Sequence, residues 1–157
     1  LGHSFGGSLS IKCSLRFPKK IEKLFLVSAA CFRRKSFKKR ILFIISKVFK
    51  VFSSVSFLRK AFYRFIVKRS DYPYTQGIMK DIYLKVIKTD LSDILEKIGV
   101  TTIIIWGEKD DVTPLKQGQI INQKIKNSQL RIIPKASHDL NTKNPEELVR
   151  EILSYYE

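Results

Sequence analysis

The chain has 157 residues, which is long enough for one domain with its own hydrophobic core. Its 30 lysines and arginines against 14 acidic residues give a formal charge of +16, while a hydrophobic fraction of 44% argues against intrinsic disorder. The two cysteines indicate neither a disulfide framework nor a structural zinc site, and no apolar run approaches the roughly 18 residues of a membrane-spanning helix. We therefore expect a folded, cytoplasmic protein.

The chain opens on a glycine-rich turn that leads into a helix. Residues 2–7 read G-H-S-F-G-G, and the helix-like stretch after them stops before Pro18, because proline disrupts a helix interior. Residues 21–29 then carry the short apolar run L-F-L-V between polar residues. Such a run predicts a buried parallel strand.

A strongly basic segment follows this strand. No acidic residue occurs between Glu22 and Asp71, whereas fourteen lysines and arginines do, and the rest of the chain is close to neutral. Residues 39–52 and 57–68 repeat apolar side chains at helical spacing, with basic side chains mostly on the opposite face. The pattern predicts two basic amphipathic helices between two strands.

The second half of the chain alternates strand and helix patterns. Residues 100–106 and 129–133 are predicted strands, and residues 115–126 and 145–156 are predicted helices. This alternation predicts an α/β fold with a parallel sheet.

The last helix has the clearest start signal. Asn144 suits the N-cap, Pro145 suits the first helical position, and Glu147 completes a capping-box pattern. We therefore expect a capped helix that begins at Pro145.

A serine, an acid and a histidine follow one another in a chemically meaningful order. Residues 2–6 form G-x-S-x-G, a pattern typical of a sharp strand-to-helix turn that exposes the hydroxyl of Ser4, although a glycine-rich turn with an incidental serine is the alternative. Asp110 and Asp111 lie just beyond a predicted buried strand, where functional groups gather in open α/β sheets. His138 follows the next strand, so the order is that of hydrolases with a nucleophile elbow.

These residues together resemble the C-terminal portion of an α/β-hydrolase, from the nucleophile elbow to the last helix. The most specific parts are G-H-S-F-G-G, the loop W-G-E-K-D-D-V-T-P, and the histidine loop followed by N-P-E-E. The resemblance implies Ser4 as nucleophile, Asp110 as the acid that orients the imidazole, and His138 as general base. It also implies the N–H of Phe5 as an oxyanion donor, and His3 as a structural elbow residue whose side chain points away from that of Ser4.

The resemblance also favours one of the two candidate acids and limits the types of reaction. The family pattern has its acid three residues after a glycine, here Gly107, which favours Asp110 over Asp111. Epoxide hydrolases and haloalkane dehalogenases of this fold attack with aspartate, whereas a serine implies acyl transfer to water and a small-molecule acyl substrate. Ester, thioester or carbon–carbon bond cleavage and perhydrolysis stay open, and no cofactor or metal is expected.

The domain organisation follows from the same resemblance. We expect hydrolase core in residues 1–32 and 96–157 and a basic helical cap in residues 33–95. The basic faces are expected to be solvated, but an anionic membrane surface bound through residues 33–69 is the main alternative. Nucleic acid is not expected, because no reading module is visible. A non-catalytic hydrolase-like protein that binds such membranes is therefore the second functional hypothesis.

The family's strand before the elbow and the loop with its second oxyanion donor are not found ahead of Gly2. We therefore expect a piece of a longer protein. A sheet cut at this edge would aggregate, so the isolated chain is expected to be poorly soluble and nearly inactive.

Overall fold

The computed structural model describes residues 1–32 and 90–156, and the two ranges belong to one compact unit. In chain order their regular elements are β1 (Gly2–His3), α1 (Phe5–Arg16), β2 (Lys23–Val27), β3 (Thr101–Gly107), α2 (Leu115–Lys124), β4 (Ser128–Ile133), α3 (Leu140–Lys143) and α4 (Pro145–Leu153). The predicted amphipathic helices of residues 39–52 and 57–68 lie outside the described residues, as does most of the predicted cap, so both stay predictions. None of the described helices is long and apolar enough to cross a bilayer.

The four strands form one parallel sheet in the order β1-β2-β3-β4. One row of paired residues crosses the whole sheet, from Gly2 to Leu26, Ile104 and Leu130. Because the strands are parallel, their carboxyl ends all lie at the same edge of the sheet. The turns after β1, β3 and β4 therefore meet at that edge, where ligands bind in open α/β sheets.

The sheet is covered on both faces, which explains why β2 and β3 are apolar along almost their whole length. Alternate strand residues pack with α1 and α2 on one face, in a buried cluster that includes Ile11, Leu24, Leu26, Ile104, Trp106 and Ile121. The intervening residues pack with α3 and α4 on the other face, in a cluster that includes Phe25, Val27, Ile103, Ile105, Leu140 and Leu148. The strands are thus held as a rigid base for the loops at their ends.

The α/β class and the parallel sheet are confirmed, and so are the predicted strands and helices of the described residues. The last two long helices end earlier than predicted, at Lys124 and Leu153. The elbow itself contributes a two-residue strand, since Gly2 and His3 pair with Leu26 and Val27 of β2.

The capping-box prediction is wrong, although α4 does begin at Pro145. Asn144 also ends α3, and its N–H donates to the carbonyl of Leu140. Its backbone, at φ −135° and ψ 48°, departs from the β-region geometry that lets an N-cap side chain reach the helix N–H groups, and it makes no side-chain capping hydrogen bond.

Candidate active site

Ser4 occupies a strained turn between β1 and α1. Its φ of 51° lies in the left-handed region, which costs a non-glycine residue about 1–3 kcal/mol. Three backbone hydrogen bonds hold it there: its N–H donates to Val27 (2.9 Å), and its carbonyl accepts from Gly7 (3.1 Å) and Ala30 (2.9 Å). The turn is thereby fixed to the residues at the end of β2, and the serine stands at the carboxyl edge of the sheet.

Small residues make this turn possible, but of the two glycines of the motif only Gly2 is needed for space. A side chain at Gly2 would overlap the carbonyl of Gly6 and the hydroxyl of Ser10, and one at Gly7 would overlap Ala29. Apart from its chain neighbours and the backbone of its own helix, no described atom lies within 4 Å of the place where a Cβ of Gly6 would stand. In the described structure, the close approach of α1 to the sheet therefore depends on Gly7 rather than on the last glycine of G-x-S-x-G.

The structure brings the side chains of Ser4, Asp110 and His138 together. His138 Nε2 lies 3.0 Å from Ser4 Oγ, across 134 residues of sequence, and its Nδ1 lies 2.9 Å from Asp110 Oδ2. A carboxylate can only accept, so Nδ1 carries the hydrogen of the neutral ring and the Nε2 lone pair accepts from the hydroxyl of Ser4. This is the arrangement needed to remove the serine proton.

Asp110 is held as an ionised carboxylate. It is buried, and its Oδ1 accepts the N–H groups of Val112 (2.9 Å) and Thr113 (2.7 Å). Burial raises the pKa of the Asp110 carboxyl, but hydrogen bonds from His138 and Thr113 more than offset this, so the pKa lies below its ordinary value. The neighbouring Asp111 is exposed, and the contact with His138 is made by Asp110.

Thr113 is a site residue that the sequence analysis missed. Its Oγ1 lies 2.9 Å from Asp110 Oδ2, 3.2 Å from His138 Nδ1 and 3.2 Å from the carbonyl of Ser28. Its own carbonyl accepts the indole N–H of Trp106 at 2.7 Å. The available signal was the loop D-D-V-T-P itself, in which a threonine follows the acid at the spacing of a local side-chain hydrogen bond.

The two remaining elbow residues, Phe5 and His3, have different surroundings. Phe5 is the first residue of α1, and the N–H groups of a first helical turn lack partners within the helix, so this end offers donors beside Ser4. The ring of His3 is directed at the histidine loop, where its Nε2 lies 3.0 Å from the backbone carbonyl of His138.

Neither cysteine belongs to this hydrogen-bonded series, and the described residues form no metal centre. Cys31 is buried, and burial, with a smaller contribution from the charge of Asp90, raises the pKa of its thiol to about 12. Cys13 is a free thiol on the exposed side of α1. Within residues 1–32 and 90–156, no group of three or more histidine, cysteine or acidic side chains is arranged to hold a metal ion.

A family model described as "Serine aminopeptidase, S33" matches residues 1–144. The chain belongs to this family. Solved structures show the same α/β-hydrolase fold for this S33 chain. The esterase from Exiguobacterium antarcticum has a TM-score of 0.68 at 23% identity, covering 98% of this chain and 64% of its own. An α/β-hydrolase from the metagenome of Mar Chica lagoon sediments has a TM-score of 0.64 at 21% identity, covering 99% of this chain and 58% of its own.

Curated relatives of the S33 chain include esterases and lipases. Pimeloyl-[acyl-carrier protein] methyl ester esterase of Neisseria meningitidis serogroup B is 33% identical over 51 residues, which are 32% of this chain and 20% of the relative. Lipase 3 of Moraxella sp. (strain TA144) is 22% identical over an alignment of 157 positions, which covers 87% of this chain and 49% of the relative. The S33 chain thus spans about a fifth and about half of these two relatives.

Proposed function

We propose that this S33 chain carries the catalytic residues of a serine hydrolase that cleaves an ester-like acyl bond through an acyl-enzyme. The observation that carries the proposal is the hydrogen-bonded series Ser4 Oγ, His138 and Asp110, with separations of 3.0 and 2.9 Å. The strained backbone of Ser4 supports it further, because such strain persists where the surrounding structure enforces it and is concentrated at functional sites.

The reaction follows from the proton positions. His138 Nε2 takes the hydroxyl proton of Ser4 as Oγ attacks the acyl carbon, and Asp110 stabilises the imidazolium that forms. The N–H of Phe5 donates to the developing oxyanion. His138 then returns the proton to the leaving group, which completes the acyl-enzyme.

Hydrolysis of the acyl-enzyme uses the same groups. Water takes the place of the leaving group, and His138 removes its proton as the water oxygen attacks the acyl carbon. Collapse of the second tetrahedral intermediate returns the proton to Ser4 and releases the acid. The names of the relatives, an esterase and a lipase, favour a carboxylic ester as the substrate class.

The test is covalent labelling with a fluorophosphonate probe, which reports an activated serine without knowledge of the substrate. The complete reading frame that contains this chain is expressed, and labelling is compared in the wild type, Ser4→Ala and His138→Ala. We expect Ser4→Ala to remove the label. His138→Ala should slow labelling by about 10³-fold or more, because the serine loses its base.

Ser154→Ala is the matched control, since Ser154 is an exposed serine that follows α4. It should label at the wild-type rate. Thermal melting establishes that each variant is folded. A folded wild-type protein that does not react with the probe would contradict the proposal.

The basic segment favours a second candidate function, binding to an anionic membrane surface. The fourteen basic residues between Glu22 and Asp71 support it, because basic amphipathic helices bind anionic lipid. This function does not require a working triad.

A further inference from the structure

The residue before the nucleophile contacts the residue that carries the base. His3 Nε2 lies 3.0 Å from the backbone carbonyl oxygen of His138, and the two rings lie 5.1 Å apart, centroid to centroid, in a tilted arrangement. A carbonyl oxygen can only accept, so His3 Nε2 is the donor. The elbow and the histidine loop are thus joined by this bond as well as by the bond between Ser4 and His138.

The two bonds differ in how long they last during a catalytic cycle. The bond from Ser4 Oγ to His138 Nε2 needs the hydroxyl hydrogen, which is absent once Oγ is acylated. The bond from His3 to the carbonyl of His138 involves no reacting atom. It therefore persists in the acyl-enzyme, the state in which His138 must activate water next to an acylated Ser4.

The other anchors of the histidine loop connect it to different parts of the fold. The carbonyl of His138 also accepts the N–H of Leu140 at 3.0 Å, within the loop itself. The carbonyl of Ala136 accepts the N–H of Lys109 at 2.8 Å, and Asp110 binds the imidazole, so both of these bonds lead to the acid loop. Once Ser4 is acylated, the bond from His3 is the described hydrogen bond that still joins the histidine loop to the elbow.

We propose that His3 is a positioning residue that holds His138 over the elbow during hydrolysis of the acyl-enzyme. The inference rests on the proposed serine hydrolase function. Loss of the hydrogen bond from His3 should slow deacylation more than acylation. In an acyl-enzyme mechanism, slower deacylation lowers kcat and KM together and leaves kcat/KM, which reports acylation, nearly unchanged.

The test compares His3→Phe, which keeps a ring but lacks the donor, with His3→Gln, whose amide can donate from a similar reach. With p-nitrophenyl acetate we expect His3→Phe to lower kcat by about 10-fold, the size expected for loss of one hydrogen bond, with KM falling in parallel. A burst of about one equivalent of p-nitrophenol per active site should appear. The fluorophosphonate labelling rate should stay within about threefold of wild type, because labelling resembles acylation alone.

His3→Gln supplies the rescue because it keeps a donor, with kcat expected within about threefold of wild type. If His3→Phe does not fold, His3→Asn, whose amide is too short to reach, takes its place in the comparison. The inference is overturned if a folded donor-less variant has wild-type kcat, or if kcat/KM and labelling fall as far as kcat. It is also overturned if His3→Gln is as impaired as His3→Phe. Failure of the proposed function is a different result, in which the wild type itself is not labelled.

Discussion

Two adjacent carboxylates of the acid loop differ in burial. Asp110 is buried and bonded to His138 and to the Val112 and Thr113 amides, whereas Asp111 is exposed. We expect Asp110→Asn to lower kcat by about 10⁴-fold, because the amide favours the wrong imidazole tautomer and cannot balance the imidazolium charge. Steady-state kinetics on p-nitrophenyl acetate measure the effect.

Asp111→Asn is the matched control, with the same change of charge one residue away. Its kcat should stay within about threefold of wild type, as expected of an exposed substitution. If the two variants lost activity equally, the assignment of the acid to Asp110 would be wrong.

Some residues of the site could be predicted from the sequence, and some of their contacts could not. Ser4 could be singled out because it lies in G-x-S-x-G, and Asp110 and His138 because each follows a strand pattern, whose carboxyl end lies at one edge of a parallel sheet. The contacts of Thr113 with Ser28 and His138, and that of His3 with His138, could not be predicted. They depend on the separation of loops that are distant in sequence, and local pattern carries no information on that distance.

At the scale of elements, α2 and β3 approach each other closely at one glycine. A Cβ at Gly118 would lie 2.8 Å from Cε3 of Trp106, which is fully buried. The indole of Trp106 is in turn bonded to the carbonyl of Thr113, beside Asp110. The packing of this helix is therefore connected to the position of the acid.

We expect Gly118→Ala to lower the free energy of unfolding by about 1–3 kcal/mol through overpacking, although alanine is the better helix former. Chemical denaturation measures this, and esterase activity should fall with it as Thr113 shifts. Gln119→Ala, an exposed position on the same helix, should leave both unchanged or raise stability slightly. A Gly118→Ala protein as stable as the Gln119→Ala protein would show that the Trp106 side chain can shift to make room for the methyl group with no loss of stability.

Elements with a strong apolar pattern could be predicted, and those created by tertiary contacts could not. The strands β2 and β3 read directly as apolar runs, because both of their faces are buried. By contrast, α3 has only four residues, and its close junction with α4 at Asn144 removes the expected cap. Such short elements have too few residues to show a period.

At the scale of the whole molecule, charge is concentrated in one sequence segment. If residues 33–69 bind an anionic surface, the protein should sediment with vesicles containing phosphatidylserine and much less with phosphatidylcholine vesicles. The binding should be largely lost at about 1 M salt, where the Debye length falls to about 3 Å. Co-sedimentation measures both effects.

Two variants with the same change in charge distinguish vesicle binding through this segment from binding through the overall positive charge of the protein. Replacing Lys38, Lys39 and Arg40 by glutamine should weaken vesicle binding. The same replacement of three exposed lysines outside this segment, Lys97, Lys116 and Lys126, should not weaken it. Equal sedimentation with neutral and anionic vesicles would remove the support for a membrane-binding role.

The spacing of the site along the chain has a consequence for biosynthesis. Ser4 and His138 are separated by 134 residues and meet only through parallel strands, whose pairing requires crossover connections to close first. During translation Ser4 therefore leaves the ribosome long before His138. If these residues act as proposed, a nascent chain carries an inert serine, and hydrolysis begins only after the histidine loop has been synthesised and has docked.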